Sequence, residues 1–238
     1  MTGIFCALDT PDLDRAATLA KSLSAAGAGI KLGLEFFASH GPAGVVHVMQ
    51  EAGKDTALFL DLKFHDIPNT VKGAVRAVLP LCPSFLTVHA SGGTEMMQAA
   101  LDAAAQSPKP PLVLAVTVLT HMNAQSLGAV GQGTVQEQVL RLARLAVKAG
   151  MNGLVSSPQE LSLLRGEFGR DVTLVVPGIR PKGTSAGDQQ RIMTPEDAVA
   201  AGADWLVIGR PVTEAADPAE VLRTIKKSIE KERLKKAI

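Results

Sequence analysis

The stretch Thr56-Ala57-Leu58-Phe59-Leu60-Asp61-Leu62-Lys63-Phe64-His65-Asp66 begins as an apolar strand and ends in charge. Side chains along a strand alternate between faces, so Asp61 and Lys63 share one face while Leu62 takes the other. Asp66 follows in the turn just beyond. Two carboxylates and an ammonium group are thereby gathered near one strand end, which is costly to bury without pairing or a chemical purpose.

The same pattern of short apolar strands recurs along the chain. Strand candidates lie at 4–8, 29–34, 57–62, 85–89, 112–118, 153–156, 172–176 and 204–208. Helical patterns lie between them at about 12–26, 41–52, 68–79, 92–106, 132–149, 158–167, 194–201 and 217–235. Eight strand-then-helix units in 238 residues predict an α/β fold, a (β/α)8 TIM barrel forming a single domain over 1–238. The strands are rich in Val, Leu, Ile and Ala and alternate poorly, as expected where both faces are covered. A doubly wound sheet is the competing architecture. It would usually carry a Gly-rich turn after strand one, and Leu8-Asp9-Thr10-Pro11 is not one.

Local signals support repeated β/α units. Ser157-Pro158-Gln159-Glu160, Thr194-Pro195-Glu196-Asp197 and Asp217-Pro218-Ala219-Glu220 each read as a cap, a proline at the first helical position and an acid at the third. Gly27, Gly53, Gly150 and Gly202 each follow an apolar-periodic run and can close a helix. Two connections are long, 121–132 after strand five and 177–191 after strand seven. The second holds Gly178, Gly183 and Gly187 and reads either as a lid over a site, at about 178–190, or as an exposed surface loop.

Composition narrows the function classes. Apolar content of 46% with 20% charged residues fits a soluble globular protein, and no linker divides the chain in two. A net charge of +1 gives no case for a nucleic acid polymer as partner. No uninterrupted 18-residue apolar run predicts a membrane span. The chain enters Ile4-Phe5-Cys6-Ala7-Leu8 directly, so a signal peptide is not expected and a cytoplasmic location is. Cys6 and Cys82 are expected as a buried, reduced pair rather than a disulfide. His40, His47 and His121 lack ligand spacing, and no metal site is expected. Met96-Met97 and Trp205 read as packing residues, and the basic stretch 226–236 as a solvated helix face.

A barrel carries its active site at the C-terminal ends of its strands. Those ends are polar here: Asp9 after strand one, Lys31 on strand two, Asp61 and Lys63 on strand three, His89 on strand four, Thr117 and Thr120 around strand five, Pro177-Gly178-Ile179-Arg180 after strand seven, and Gly209-Arg210 after strand eight. Their convergence points to a small, polar, anionic ligand. An alternating array of Lys31, Asp61 and Lys63 keeps lysines protonated and aspartates ionised, so a lysine can deliver a proton to a developing carbanion. A Schiff-base lysine needs a lowered pKa, which flanking carboxylates oppose. Gly209-Arg210 suits phosphate, with close backbone approach and a forked cation, and barrels often hold phosphate after strands seven and eight. Arg180 and Gln189 would help hold the anion; otherwise they are an exposed charge and an exposed amide. His89 reads as a hydrogen-bonded histidine at the mouth.

Asp61-Leu62-Lys63-Phe64-His65-Asp66-Ile67-Pro68-Asn69-Thr70-Val71 closely resembles the central motif of the orotidine 5'-phosphate decarboxylase family, and the resemblance covers nearly the whole chain. Asp9, Ile30-Lys31-Leu32-Gly33, Pro177-Gly178-Ile179-Arg180 with Gln189, and Gly209-Arg210 match further family segments. The resemblance implies decarboxylation of orotidine 5'-monophosphate to uridine 5'-monophosphate and CO2, the last step of de novo UMP synthesis, without metal or organic cofactor. It implies that Lys63 protonates pyrimidine C6 and that Asp61 lies beside the departing CO2, with Lys31 in the charged network. Asp9 would contact ribose, Thr120 the pyrimidine, and Arg180, Gln189, Gly209 and Arg210 the phosphate. It further implies a homodimer in which Asp66, Ile67 and Thr70 complete the neighbouring site. Many relatives have Ser where this chain has His121, which would leave the pyrimidine contact to Thr120 and backbone groups. The rival readings are a related sugar-phosphate decarboxylase or aldolase in a similar barrel, and a non-catalytic phosphate-binding barrel.

Overall fold

A computed structural model describes residues 2–130, 133–183 and 191–236. Eight parallel strands close into a barrel in sequence order: β1 (Gly3–Ala7), β2 (Gly29–Gly33), β3 (Leu58–Phe64), β4 (Phe85–His89), β5 (Leu112–Val116), β6 (Gly153–Val155), β7 (Thr173–Val176) and β8 (Trp205–Ile208), with β8 pairing back on β1. The expected (β/α)8 barrel is therefore the observed architecture, because each strand is followed by at least one helix that covers its outer face.

The helices are α1 (Leu13–Ala25), α2 (Leu34–Ala52), α3 (Pro68–Val78), α4 (Thr94–Ala104), α5 (Ala124–Ala129), α6 (Val135–Lys148), α7 (Leu161–Phe168), α8 (Pro195–Ala200), α9 (Arg210–Thr213) and α10 (Pro218–Lys236). The cap signals act as read. Ser157 and Glu160 form a reciprocal capping box, the Thr194 side chain accepts from the Asp197 N–H, and Asp217 accepts from the Glu220 N–H at 3.0 Å. Gly27, Gly53, Gly150 and Gly202 all adopt positive φ at helix ends, a conformation without the Cβ penalty other residues incur.

Four features depart from the expected pattern. A helical stretch from Leu34 precedes the one expected at 41–52; the two meet at Gly41, whose backbone is not helical (φ 59°, ψ −160°), and Pro42 opens the expected stretch, while Phe36 on the earlier one is buried. The connection after β5 contains α5, which Asn123 and Ser126 start with a capping box. A one-turn helix, α9, follows β8 directly. Cys6 is buried but Cys82 is exposed, at the left-handed end (φ 52°) of a short 3-10 turn between α3 and β4; the two are not a buried pair. Among the described residues no helix is long and apolar enough to cross a membrane.

Two cores result. The larger lies between strands and helices, and Met96 and Met97 are fully buried in it, as expected. The smaller fills the barrel and joins Phe5, Phe59, Phe85, Leu114, Val175 and Val207, with Trp205 packed against them. Phe5 meets Phe59, Phe85 and Trp205 at ring separations of 5.3, 5.1 and 4.8 Å, plugging the N-terminal end. A Cβ on Gly3 would collide with the Trp205 ring, and one on Gly29 with the Phe5 ring, so these glycines make room for the plug. Towards the C-terminal end the lining becomes mixed, with Lys31, Asp61 and Lys63 set among apolar side chains such as Val116, Val155 and Val207.

Candidate active site

The cavity at the C-terminal end of the barrel, about 540 Å3, is lined by residues from seven of the eight strand ends. The inward row on each strand decides which side chains reach it. On β3 the row runs Phe59, Asp61, Lys63: Phe59 joins the plug, and the next two side chains enter the cavity. On β2 it runs Gly29, Lys31, Gly33, and the register sets Gly33 beside Asp61.

The charges form a chain. Lys31 Nζ donates to Asp9 Oδ1 at 3.0 Å and lies 3.6 Å from Asp61 Oδ2. Lys63 Nζ lies 2.9 Å from the same Asp61 oxygen. Asp9, Lys31, Asp61 and Lys63 thus alternate in sign. Burial alone would push the Lys31 ammonium down, but Asp61 and Asp9 outweigh it and hold it above the usual lysine value. Burial would likewise raise the Asp61 carboxyl, yet Lys31, Lys63 and a hydrogen bond from Thr87 hold it below the usual carboxylate range. The pairing offsets desolvation, and it fixes two ammonium groups and a carboxylate in one place without water having to reorganise around them.

Thr87, which the sequence reading did not single out, is fully buried on β4. Its hydroxyl donates to Asp61 Oδ1 at 3.0 Å and accepts from the Lys63 backbone N–H at 2.9 Å. His89 does not line the cavity, and its ring lies 5.3 Å from that of His65. Burial, with His65 and Lys63 nearby and Asp61 opposing, brings the His89 ring down to about 4, so it is neutral at physiological pH.

The opposite wall is suited to an anion. Pro177, Gly178 and Arg180 after β7 line the cavity together with Gly209 and Arg210 after β8. Arg180 is buried, not the exposed charge that was its alternative reading, and its Nη1 donates to the Ile179 carbonyl at 3.0 Å. Burial and the neighbouring Arg210 push its guanidinium down from the usual value. Two like charges facing one cavity gain from an anion placed between them.

Thr120 also lines the cavity, whereas Thr117 does not. Val116 and Val118 take the inward positions there, and the Thr117 hydroxyl donates to the Val155 carbonyl at 3.2 Å. His121 is exposed. Arg191 fastens this side. It pairs with buried Glu160 and donates to the carbonyls of Leu119 at 3.0 Å and Thr120 at 3.2 Å. Asp66, Ile67 and Thr70 are exposed and do not line the cavity of their own chain; Ile67 keeps 66% of its surface. Gln189 lies outside the described residues, as does most of the expected lid, 184–190. Among the described residues no group of three or more His, Cys, Asp or Glu side chains is arranged to hold a metal ion.

Comparison with known proteins adds to this geometry. The model of the orotidine 5'-phosphate decarboxylase / HUMPS family matches residues 2–225. The chain is 50% identical over 229 residues to the orotidine 5'-phosphate decarboxylase of Thermobifida fusca, covering 96% of each chain. It is 52% identical over 228 residues to that of Rhodospirillum rubrum, covering 93% of this chain and 92% of the relative. Among solved structures, the orotidine 5'-phosphate decarboxylase of Lactobacillus acidophilus superposes with a TM-score of 0.84 at 34% identity, covering 96% of this chain and 99% of the other.

Proposed function

The chain belongs to the orotidine 5'-phosphate decarboxylase / HUMPS family and is a decarboxylase converting orotidine 5'-monophosphate to uridine 5'-monophosphate and CO2; from that premise we propose how its residues carry the reaction. The observation that carries the proposal is the Asp9–Lys31–Asp61–Lys63 chain, which ends at the cavity on an ammonium group.

Loss of CO2 from the pyrimidine ring leaves charge at C6 with little resonance relief. Fixed charges must therefore stabilise the transition state more than the ground state. Lys63 faces the incipient carbanion and protonates C6. Asp61 lies beside the departing carboxylate and, with Lys31, holds Lys63 in place. Asp9 contacts the ribose and Thr120 the pyrimidine. Arg180, Gln189, Gly209 and Arg210 grip the phosphate, and segment 178–190 closes over it. Binding energy from the remote phosphate is then available to order the reacting end. No cofactor enters this scheme.

The exposed Asp66, Ile67 and Thr70 extend into the neighbouring subunit's site in a homodimer that works in the cytoplasm. A bare, two-thirds exposed isoleucine directly after the catalytic strand supports that placement. The related sugar-phosphate decarboxylase or aldolase reading fits less well, since the Lys63 nitrogen that a Schiff base would use is engaged by Asp61 at 2.9 Å.

The test is a spectroscopic assay of orotidine 5'-monophosphate decarboxylation with chelator present, alongside sedimentation of the same sample. Turnover undiminished by chelator, from a dimer, is expected. Turnover of a keto-sugar phosphate instead, or tight nucleotide binding with no product, would overturn the reaction; full activity from a monomer would overturn the shared site.

A further inference from the structure

Asp61 and Lys63 sit where the ladder between β3 and β4 is broken. Leu60 pairs with Leu86 and Phe64 with Val88, so three residues of β3 stand opposite Thr87 alone. Such a bulge bends the strand and removes ladder partners from the extra residues. The Lys63 N–H is one of the groups so displaced. Lys63 also has φ of 48°, in the left-handed region, which a residue with a long side chain keeps only when its surroundings hold it there.

Thr87 supplies the hold. Its one hydroxyl accepts the Lys63 N–H and donates to Asp61 Oδ1, closing a loop from the backbone of the proton donor to the carboxylate beside it. The two oxygens of Asp61 are thereby divided. Oδ1 faces Thr87, and Oδ2 is left for Lys31 and Lys63. Valine would fill the same space and satisfy neither group, while serine would satisfy both.

We propose that Thr87 is a positioning residue for the decarboxylation: its hydroxyl sets the Asp61 carboxylate and the bulged Lys63 backbone in the geometry the reaction uses. The inference rests on the roles assigned to Asp61 and Lys63 above. Charged and titratable groups face Asp61 from every neighbouring strand: Lys31 on β2 with Asp9 behind it from β1, Lys63 on β3 itself, and His89 on β4. The Thr87 hydrogen bond adds to the lysines in lowering the Asp61 carboxyl. Without it, that carboxyl rises.

The experiment compares Thr87→Val and Thr87→Ser with the unmodified enzyme in kcat, KM and the pH profile of kcat/KM, each variant first checked for folding by circular dichroism. For valine we expect kcat to fall roughly 10- to 100-fold, the size of a lost hydrogen bond to a charged group. KM should change less than about threefold, because the phosphate grip is on the far wall. The acid limb of the profile should move to higher pH. Serine should restore kcat to within about threefold and return the acid limb to its place. A valine variant with unmodified kcat and acid limb, or a serine variant as slow as valine, overturns the proposal. Should valine unfold the chain, Thr87→Cys, which fills most of the space with a poor hydrogen-bonding group, must show the same loss. An unmodified enzyme without turnover overturns the reaction assignment instead. The crystal structure of Thr87→Val then decides the inference alone: Asp61 and Lys63 in unchanged positions would refute it.

Discussion

The two ends of the barrel interior are built from the same strands and do opposite work. At the N-terminal end Phe5, Phe59, Phe85 and Trp205 interlock, with ring separations from 4.8 to 5.8 Å. At the other end Asp9, Lys31, Asp61 and Lys63 alternate in sign around a cavity. On β3 the change occurs between Phe59 and Asp61, neighbours on one face roughly 7 Å apart along the strand. Apolar burial at one end stabilises the fold. Charge burial at the other costs stability and is held in place by the rigid strands beneath it. If this division holds, substitutions at the top should remove activity and spare stability, and substitutions in the plug should do the reverse.

The largest effect expected is at the top. Lys63→Ala removes the proton donor, and kcat should fall on the order of 10^4-fold, the upper end of what a positioned acid contributes. The midpoint of thermal unfolding should stay within a few degrees, about what a surface-like change of under 1 kcal/mol produces, because Asp61 keeps Lys31 as a partner. Turnover within tenfold of the unmodified enzyme would break the comparison at its upper end. At the lower end, Phe5→Ala empties the centre of the plug and should cost about 3–5 kcal/mol in urea unfolding. Its kcat at 25 °C should remain within about threefold, since Phe5 does not line the cavity that holds the charged chain. A variant that kept its stability and lost its activity would show that the two ends are not separate.

How far sequence alone reaches differs between these ends too. The strands and their order were legible because apolar stretches and caps recur with the β/α period. Asp61, Lys63, Lys31 and Arg210 were legible as charges at strand ends, where a barrel brings such residues together. The bulge was not, because nothing in Leu60-Asp61-Leu62-Lys63-Phe64 announces two additional residues; it exists only against the partner strand. Thr87 went unremarked for the same reason, since a threonine in a strand is ordinarily a good β-former. Arg191 and Glu160 meet across 31 positions of sequence, and no local pattern joins them. The start of α5 was available in Asn123-Ala124-Gln125-Ser126, a capping signal inside what read as a loop. Asp66, Ile67 and Thr70 could be given a role only through family resemblance, because a surface residue's partner is not written in its own chain.

The smallest effect separates the ends by pH. The plug contains no titratable side chain, so the stability lost in Phe5→Ala should be the same at pH 7 and pH 5. The top carries His89, whose ring is brought down to about 4 by burial, His65 and Lys63. In the unfolded chain the ring titrates near ~6.5. The unfolded state therefore takes up the proton first as pH falls, so stability is complete above ~6.5 and declines until the folded ring also protonates. Asp61, with its carboxyl held low by Lys31 and Lys63, extends the decline below the usual carboxylate range. Replacing the ring in His89→Gln removes the first window and leaves the second. Between pH 7 and pH 5 the unmodified protein should lose on the order of 1 kcal/mol more than this variant, a figure reduced for the solvent that reaches the mouth. Urea unfolding at the two pH values measures it. Parallel losses in both proteins would move the sensitivity off His89 and onto the carboxylates, and the division between a pH-indifferent plug and a titrating mouth would then rest on Asp61 and its lysines.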